Sequence, residues 1–89
     1  MNDKTVFITG ASSGIGYGTA ARFAQAGWNV ALSARREENL RVLQGEIAER
    51  GGCADVFCAD VTSAQQLHDA LDGANRRFGG VNAVVHCAG

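Results

Sequence analysis

Short apolar runs and longer helical patterns alternate along the whole chain, and that alternation restricts the fold more than any other feature. The runs are TVFIT, NVALSA, ADVFCA and VNAVVHCAG. Each is rich in β-branched or small apolar residues and is bounded by turn residues, as buried strands are. The first helical pattern covers about residues 14–26, with Ile15, Thr19 and Phe23 at four-residue spacing, and Gly27 ends it. The second covers roughly 37–50, where Leu40, Leu43 and Ile47 form one stripe facing a sheet before Gly51-Gly52. The third starts at Thr62 or Ser63, each followed three places on by a glutamine (Gln65, Gln66), which is capping-box spacing. Ala64, Leu67, Leu71 and Phe78 are expected on its buried side. The order is β-α-β-α-β-α-β, an α/β chain of parallel strands joined by right-handed crossovers. Helices on both sheet faces explain strands that are apolar almost throughout.

Length and charge narrow the function classes. The 89 residues carry a net charge of -1, with no basic excess to attract nucleic acid or anionic lipid. The first ten residues, MNDKTVFITG, lack an apolar core of signal-peptide length, and no apolar run approaches the roughly 20 residues that span a bilayer. A soluble, cytoplasmic protein is expected, without nucleic-acid or membrane partners. Cys53, Cys58 and Cys87 form an odd set without CxxC spacing, which suits neither a disulfide framework nor a zinc site. They read as small buried hydrophobes in a reducing compartment.

Between the first strand and the first helix lies Gly10-Ala11-Ser12-Ser13-Gly14-Ile15-Gly16. In an open parallel sheet the ligand crevice lies beyond the carboxyl ends of the strands, where this turn falls. Gly10 permits a sharp exit from the strand, Gly14 leaves room for a pyrophosphate, and Gly16 allows the helix to pack closely on the sheet. The helix N-terminus offers free N–H groups to phosphate charge. A tight turn without a ligand would use the same glycines. A P-loop is excluded because no lysine follows at the required distance, and the GxGxxG fingerprint fails at Thr19.

Thr9-Gly10-x-x-x-Gly14-Ile15-Gly16, Asp60-Val61-Thr62 after the third strand, and His86-Cys87-Ala88-Gly89 closing the fourth together resemble the short-chain dehydrogenases/reductases. That family shows TGxxxGIG after its first strand and usually NNAG where HCAG stands here. The resemblance covers all 89 residues and implies the N-terminal half of a Rossmann-type, doubly wound domain with strand order 3-2-1-4. It also implies that Gly10, Ser12, Ser13, Gly14, Ile15 and Gly16 hold the pyrophosphate and adenosine ribose. Asp60 would accept from the adenine amino group, Val61 would stack near the ring, and Ala88 and Gly89 would approach a ribose. Asp60 could equally cap the helix that begins at Ser63.

NAD-preferring enzymes place an acid at the end of the second strand, and Ala34 stands there. Arg35-Arg36 follows, and a guanidinium can take a 2'-phosphate through paired hydrogen bonds. NADP(H) is therefore expected over NAD(H), unless Arg35 and Arg36 merely pair with Glu37 and Glu38 at a solvated helix start. His86, near the end of the fourth strand, is expected to be buried and hydrogen-bonded, and His68 to be surface.

The family's downstream serine, tyrosine and lysine have no counterpart here. Tyr17, the only tyrosine, has Ala21 four places on. The catalytic half, the carbonyl or alcohol pocket and the helices that build the family's homo-oligomer are expected beyond Gly89. An uncovered fourth strand bearing Val81, Val84 and Val85 agrees with that expectation. The resulting expectation is the NADP(H)-binding portion of a hydride-transferring oxidoreductase. Alternatives are a non-catalytic nucleotide sensor and an S-adenosylmethionine methyltransferase, since Gly14-Ile15-Gly16-Tyr17-Gly18 matches GxGxG but Ala34 is not acidic.

Overall fold

The computed structural model describes residues 4–11 and 14–87. Strands β1 (Thr5–Thr9), β2 (Asn29–Ser33), β3 (Cys53–Val56) and β4 (Ala83–His86) alternate with helices α1 (Gly14–Gln25), α2 (Glu37–Glu49) and α3 (Ala64–Phe78). The sheet is parallel in the order β3-β2-β1-β4, as the Rossmann-type reading requires. Thr9 is the register partner of Ser33 on one side and of His86 on the other, so the ends of the two central strands and β4 are level.

Alternation along the strands divides the core in two. Val6, Ile8, Val30 and Leu32 face α1 and α2, packing with Ala20, Leu40, Leu43 and Ile47. Phe7 and Ala31 point the other way, toward Ala70 and Ala74 of α3. The stripe read in α2 is the buried one. Along α3 the small Ala70 and Ala74 lie deepest, flanked by Leu67, Leu71 and Phe78, whereas Ala64 is exposed, contrary to expectation. Central strands β1 and β2 are buried at every position, while edge strand β4 alternates and leaves Val84 58% exposed.

Several element ends differ from the sequence reading: α1 and α2 each stop one residue earlier, and β4 covers only Ala83–His86 of the run read as the fourth strand, whereas the start of the third helix agrees. β3 begins one residue early and ends as a regular strand at Val56, although Phe57 N–H still donates to Leu32 O at 2.9 Å and Ala59 N–H to Ala34 O at 3.1 Å, the alternate-residue pattern of parallel pairing. The third helix starts after Ser63, whose hydroxyl accepts from the Gln66 N–H. Gln66 does not complete a reciprocal box with Ser63. Its Oε1 instead accepts from the Asp60 N–H at 2.9 Å, tying the helix start to the loop above β3.

Candidate functional site

The turn after β1 is built by backbone crowding. Gly10 has φ +67, and a Cβ there would run into the carbonyl oxygen of Cys87. Both constraints demand glycine. On either side of the turn the main chain remains pinned, by Ala11 N–H to Ser33 O at 3.1 Å and by Cys87 N–H to Thr9 O at 3.1 Å. Gly16 is also crowded, but by the carbonyl of Gly10 and the Cα of Ala11. The helix therefore packs against the turn's own backbone, where the sequence reading placed the contact on the sheet. At Gly14 a Cβ would meet nothing within 4 Å, and Ile15 is 73% exposed. Among the described residues nothing fills the space at Gly14, which is what an approaching phosphate group needs. Ser12, Ser13, Ala88 and Gly89 lie outside the described residues.

Beyond the carboxyl ends of the strands runs a groove of about 480 Å³, bordered by Gly10, Ala34, Arg35, Asp60, Val61 and His86. The volume is of the size that binds small molecules and cofactors. The structure thus brings together residues from all four strand ends that the sequence singled out separately. Arg36 and Thr62 also line it. A second, smaller hollow of about 70 Å³ lies between α1 and α2, beside Tyr17 and Leu43, away from the strand ends.

Asp60 has a structural role whatever it binds. Its Oδ1 accepts from the Thr62 N–H at 2.9 Å and from the Thr62 hydroxyl at 2.7 Å, and its carbonyl accepts from Ser63 N–H. Asp60 thus closes a local turn with Thr62 through Oδ1, and the residue that caps α3 is Ser63 rather than Asp60. Oδ2 makes no hydrogen bond among the described residues. The Thr62 N–H, then its hydroxyl, and the nearby positive charge of Arg35 hold the Asp60 carboxyl below the ordinary aspartate range. Val61 is 42% exposed beside it.

Arg35 and Arg36 are exposed at the groove rim, Arg36 forming the N-cap of α2 with no side-chain cap. The alternative pairing with Glu37 does not form. Glu37 binds Arg41, one turn further on, at 2.9 Å, and among the described residues no ion pair joins either arginine to Glu37 or Glu38. Cys58 is exposed, contrary to expectation, with its thiol 3.8 Å from Glu37 Oε1. Partial shielding of the sulfur and the Glu37 charge push the thiol above its ordinary value. Cys53 is half-buried and Cys87 buried.

His86 is exposed rather than buried, but hydrogen-bonded as expected. Its Nδ1 lies 2.6 Å from Thr9 Oγ1. The sequence reading missed this contact between residues 77 positions apart; only the parallel pairing of the first and fourth strands could have suggested it. It named Thr62 after Asp60 but missed the bonds between them, although an aspartate two residues before a threonine is the pattern of a local side-chain turn. Among the described residues no cluster of His, Cys, Asp and Glu could hold a metal ion, and no helix is long and apolar enough to cross a membrane.

Residues 4–89 match the family model described as short chain dehydrogenase. A curated relative, the A-factor type gamma-butyrolactone 1'-reductase (1S-forming) of Streptomyces virginiae, is 40% identical over 86 residues, covering 97% of this chain and 34% of its own. Among solved structures, a hydroxysteroid dehydrogenase from Escherichia coli superposes with a TM-score of 0.93 at 37% identity, over 97% of this chain and 37% of that one. A metagenomic short-chain oxidoreductase in complex with NADP gives 0.91 at 30% identity, over 100% of this chain and 40% of the other. The chain thus spans about a third of the length of such relatives. With the crowded glycine turn standing where the sequence resemblance put it and the fold superposing almost throughout, the chain belongs to the short-chain dehydrogenase family.

Proposed function

We propose that this chain is the NADP(H)-binding portion of an oxidoreductase that moves hydride between the nicotinamide and a carbonyl or alcohol substrate. The observation that carries the cofactor preference is the rim of the groove at the end of β2. Ala34 stands where a carboxylate would bond ribose hydroxyls, and Arg35 follows it with no ion pair to its neighbouring glutamates. A guanidinium in that place favours the 2'-phosphate of NADP(H). The nucleotide complex of the metagenomic relative gives the reading its family precedent.

In this reading Gly10, Gly14, Ile15 and Gly16, with Ser12 and Ser13, cradle the diphosphate. Asp60 offers Oδ2 to the adenine amino group, its Oδ1 being taken by Thr62. Val61 covers the ring, and Ala88 and Gly89 meet a ribose. The nicotinamide, when bound, supplies the hydride chemistry; this chain's residues bind and orient the adenosine and diphosphate. Substrate binding, proton transfer and assembly into a cytoplasmic homo-oligomer belong to the same reading.

Calorimetric titration of the full-length protein tests it. NADPH should bind more tightly than NADH, and Arg35→Ala should weaken NADPH at least tenfold more than NADH, about one charge-assisted hydrogen bond. Equal losses would remove Arg35 as the reader of the 2'-phosphate. Tighter binding of S-adenosylmethionine than of either dinucleotide would overturn the oxidoreductase assignment of the groove.

A further inference from the structure

Thr9 and His86 sit side by side at the ends of β1 and β4. These are the strands between which an open α/β sheet changes direction and where its ligand crosses. The short Thr9 Oγ1 to His86 Nδ1 contact, 2.6 Å, ties the ring to the buried threonine. An imidazole has two polar atoms, and with Nδ1 engaged only Nε2 remains; it has no partner among the described residues. The ring is exposed and borders the groove next to Gly10 and Cys87.

Arg35 and Asp60 border the same groove from the β2 and β3 side, and His86 borders it from the β4 side, across the glycine turn. A dinucleotide with its adenosine at Arg35 and Asp60 and its diphosphate at the turn extends its remaining half toward β4. We propose that His86, positioned by Thr9, binds a hydroxyl of the nicotinamide-side ribose through Nε2. This rests on the nucleotide reading of the groove. The chemistry fits either tautomer. A proton donated by Thr9 to Nδ1 leaves Nε2 as donor, the reverse leaves it as acceptor, and a hydroxyl answers both. The contact would be shared by NADPH and NADH, unlike that of Arg35, and absent for a ligand that ends at the adenosine.

Three ligands measure the position of the residue in the full-length protein: NADPH, NADH and adenosine 2',5'-bisphosphate, which has no nicotinamide half. His86→Ala should weaken both dinucleotides by the same factor, roughly five- to tenfold, and leave the bisphosphate unchanged. Thr9→Val, which keeps the shape and removes the hydroxyl, should give the same pattern with a smaller loss, and serves if the alanine variant does not fold. Unchanged dinucleotide affinity in both variants, or an equal loss for the bisphosphate, would overturn the role of His86. Wild-type protein that binds none of the three would instead overturn the nucleotide reading.

Discussion

Glu37 turns along α2 to Arg41, with Oε2 accepting from Nε at 2.9 Å, and so faces away from the two arginines that precede it. Arg41 is itself held, its Nη1 donating to Gln44 Oε1 at 3.0 Å, and Gln44 reaches the Ala54 carbonyl on β3 at 3.1 Å. The chain of contacts anchors the acid that directly follows Arg35 and Arg36 in the sequence.

Arg41→Ala should therefore lower the preference for NADPH over NADH about two- to fivefold, the scale of an exposed ion pair. The double variant Glu37→Gln with Arg41→Ala should restore it. Dissociation constants for both dinucleotides decide the matter, and an unchanged ratio in the single variant would show that Glu37 never competes.

The three glycines of the turn should separate stability from binding. Gly10→Ala forces a left-handed backbone on a residue with a side chain and drives its Cβ into the Cys87 carbonyl, so it should cost about 2 kcal/mol or more in denaturant unfolding. Gly14→Ala meets open space. It should leave stability within about 1 kcal/mol of wild type yet weaken dinucleotide binding. A Gly14 variant as unstable as the Gly10 variant would contradict the difference in crowding.

Ser33 is wholly buried, and its hydroxyl has no hydrogen-bond partner among the described residues. An unpaired buried hydroxyl carries a desolvation cost that alanine removes. Ser33→Ala is expected to stabilise the fold by about 1 kcal/mol, read as a higher denaturant midpoint with an unchanged slope. A lower midpoint would mean that the hydroxyl has a partner in solution.

Asp60 should titrate below the ordinary aspartate midpoint, because the N–H and hydroxyl bonds from Thr62 are stronger to the charged carboxylate and favour it. The sign follows: a lowered native value favours the fold at pH above the unfolded midpoint, and that contribution fades as pH falls through the native one. Carboxyl carbon NMR should show Thr62→Val moving the midpoint upward. A downward shift or none would rule out the hydroxyl as a cause.

What the sequence made legible was whatever depends on near neighbours. Leu40, Leu43 and Ile47 form a stripe because helical geometry brings three- and four-residue steps to one face, and α2 buries them as that spacing requires. Gly10 and Gly16 were legible for a similar reason, since the turn itself needs them. The end of β3 was not, because Phe57 to Ala59 keep the apolar composition of a strand and still donate to β2 at alternate residues. Nor was the exposure of Ala64, Cys58 and His86, which is set by where helices stop and which strands lie at an edge. The Glu37 to Arg41 bond had a readable four-residue spacing, but the sequence alone did not choose between it and a pairing with the preceding arginines.

The chain leaves β1 for helices on one face and returns to β4 from a helix on the other. Two connections that depart in opposite directions cannot both cover the strand ends between them. The opening there is a product of threading, present before any side chain is chosen. Point substitutions can alter what the opening holds, as Arg35, Asp60 and His86 illustrate, but closing it would require rerouting the polypeptide.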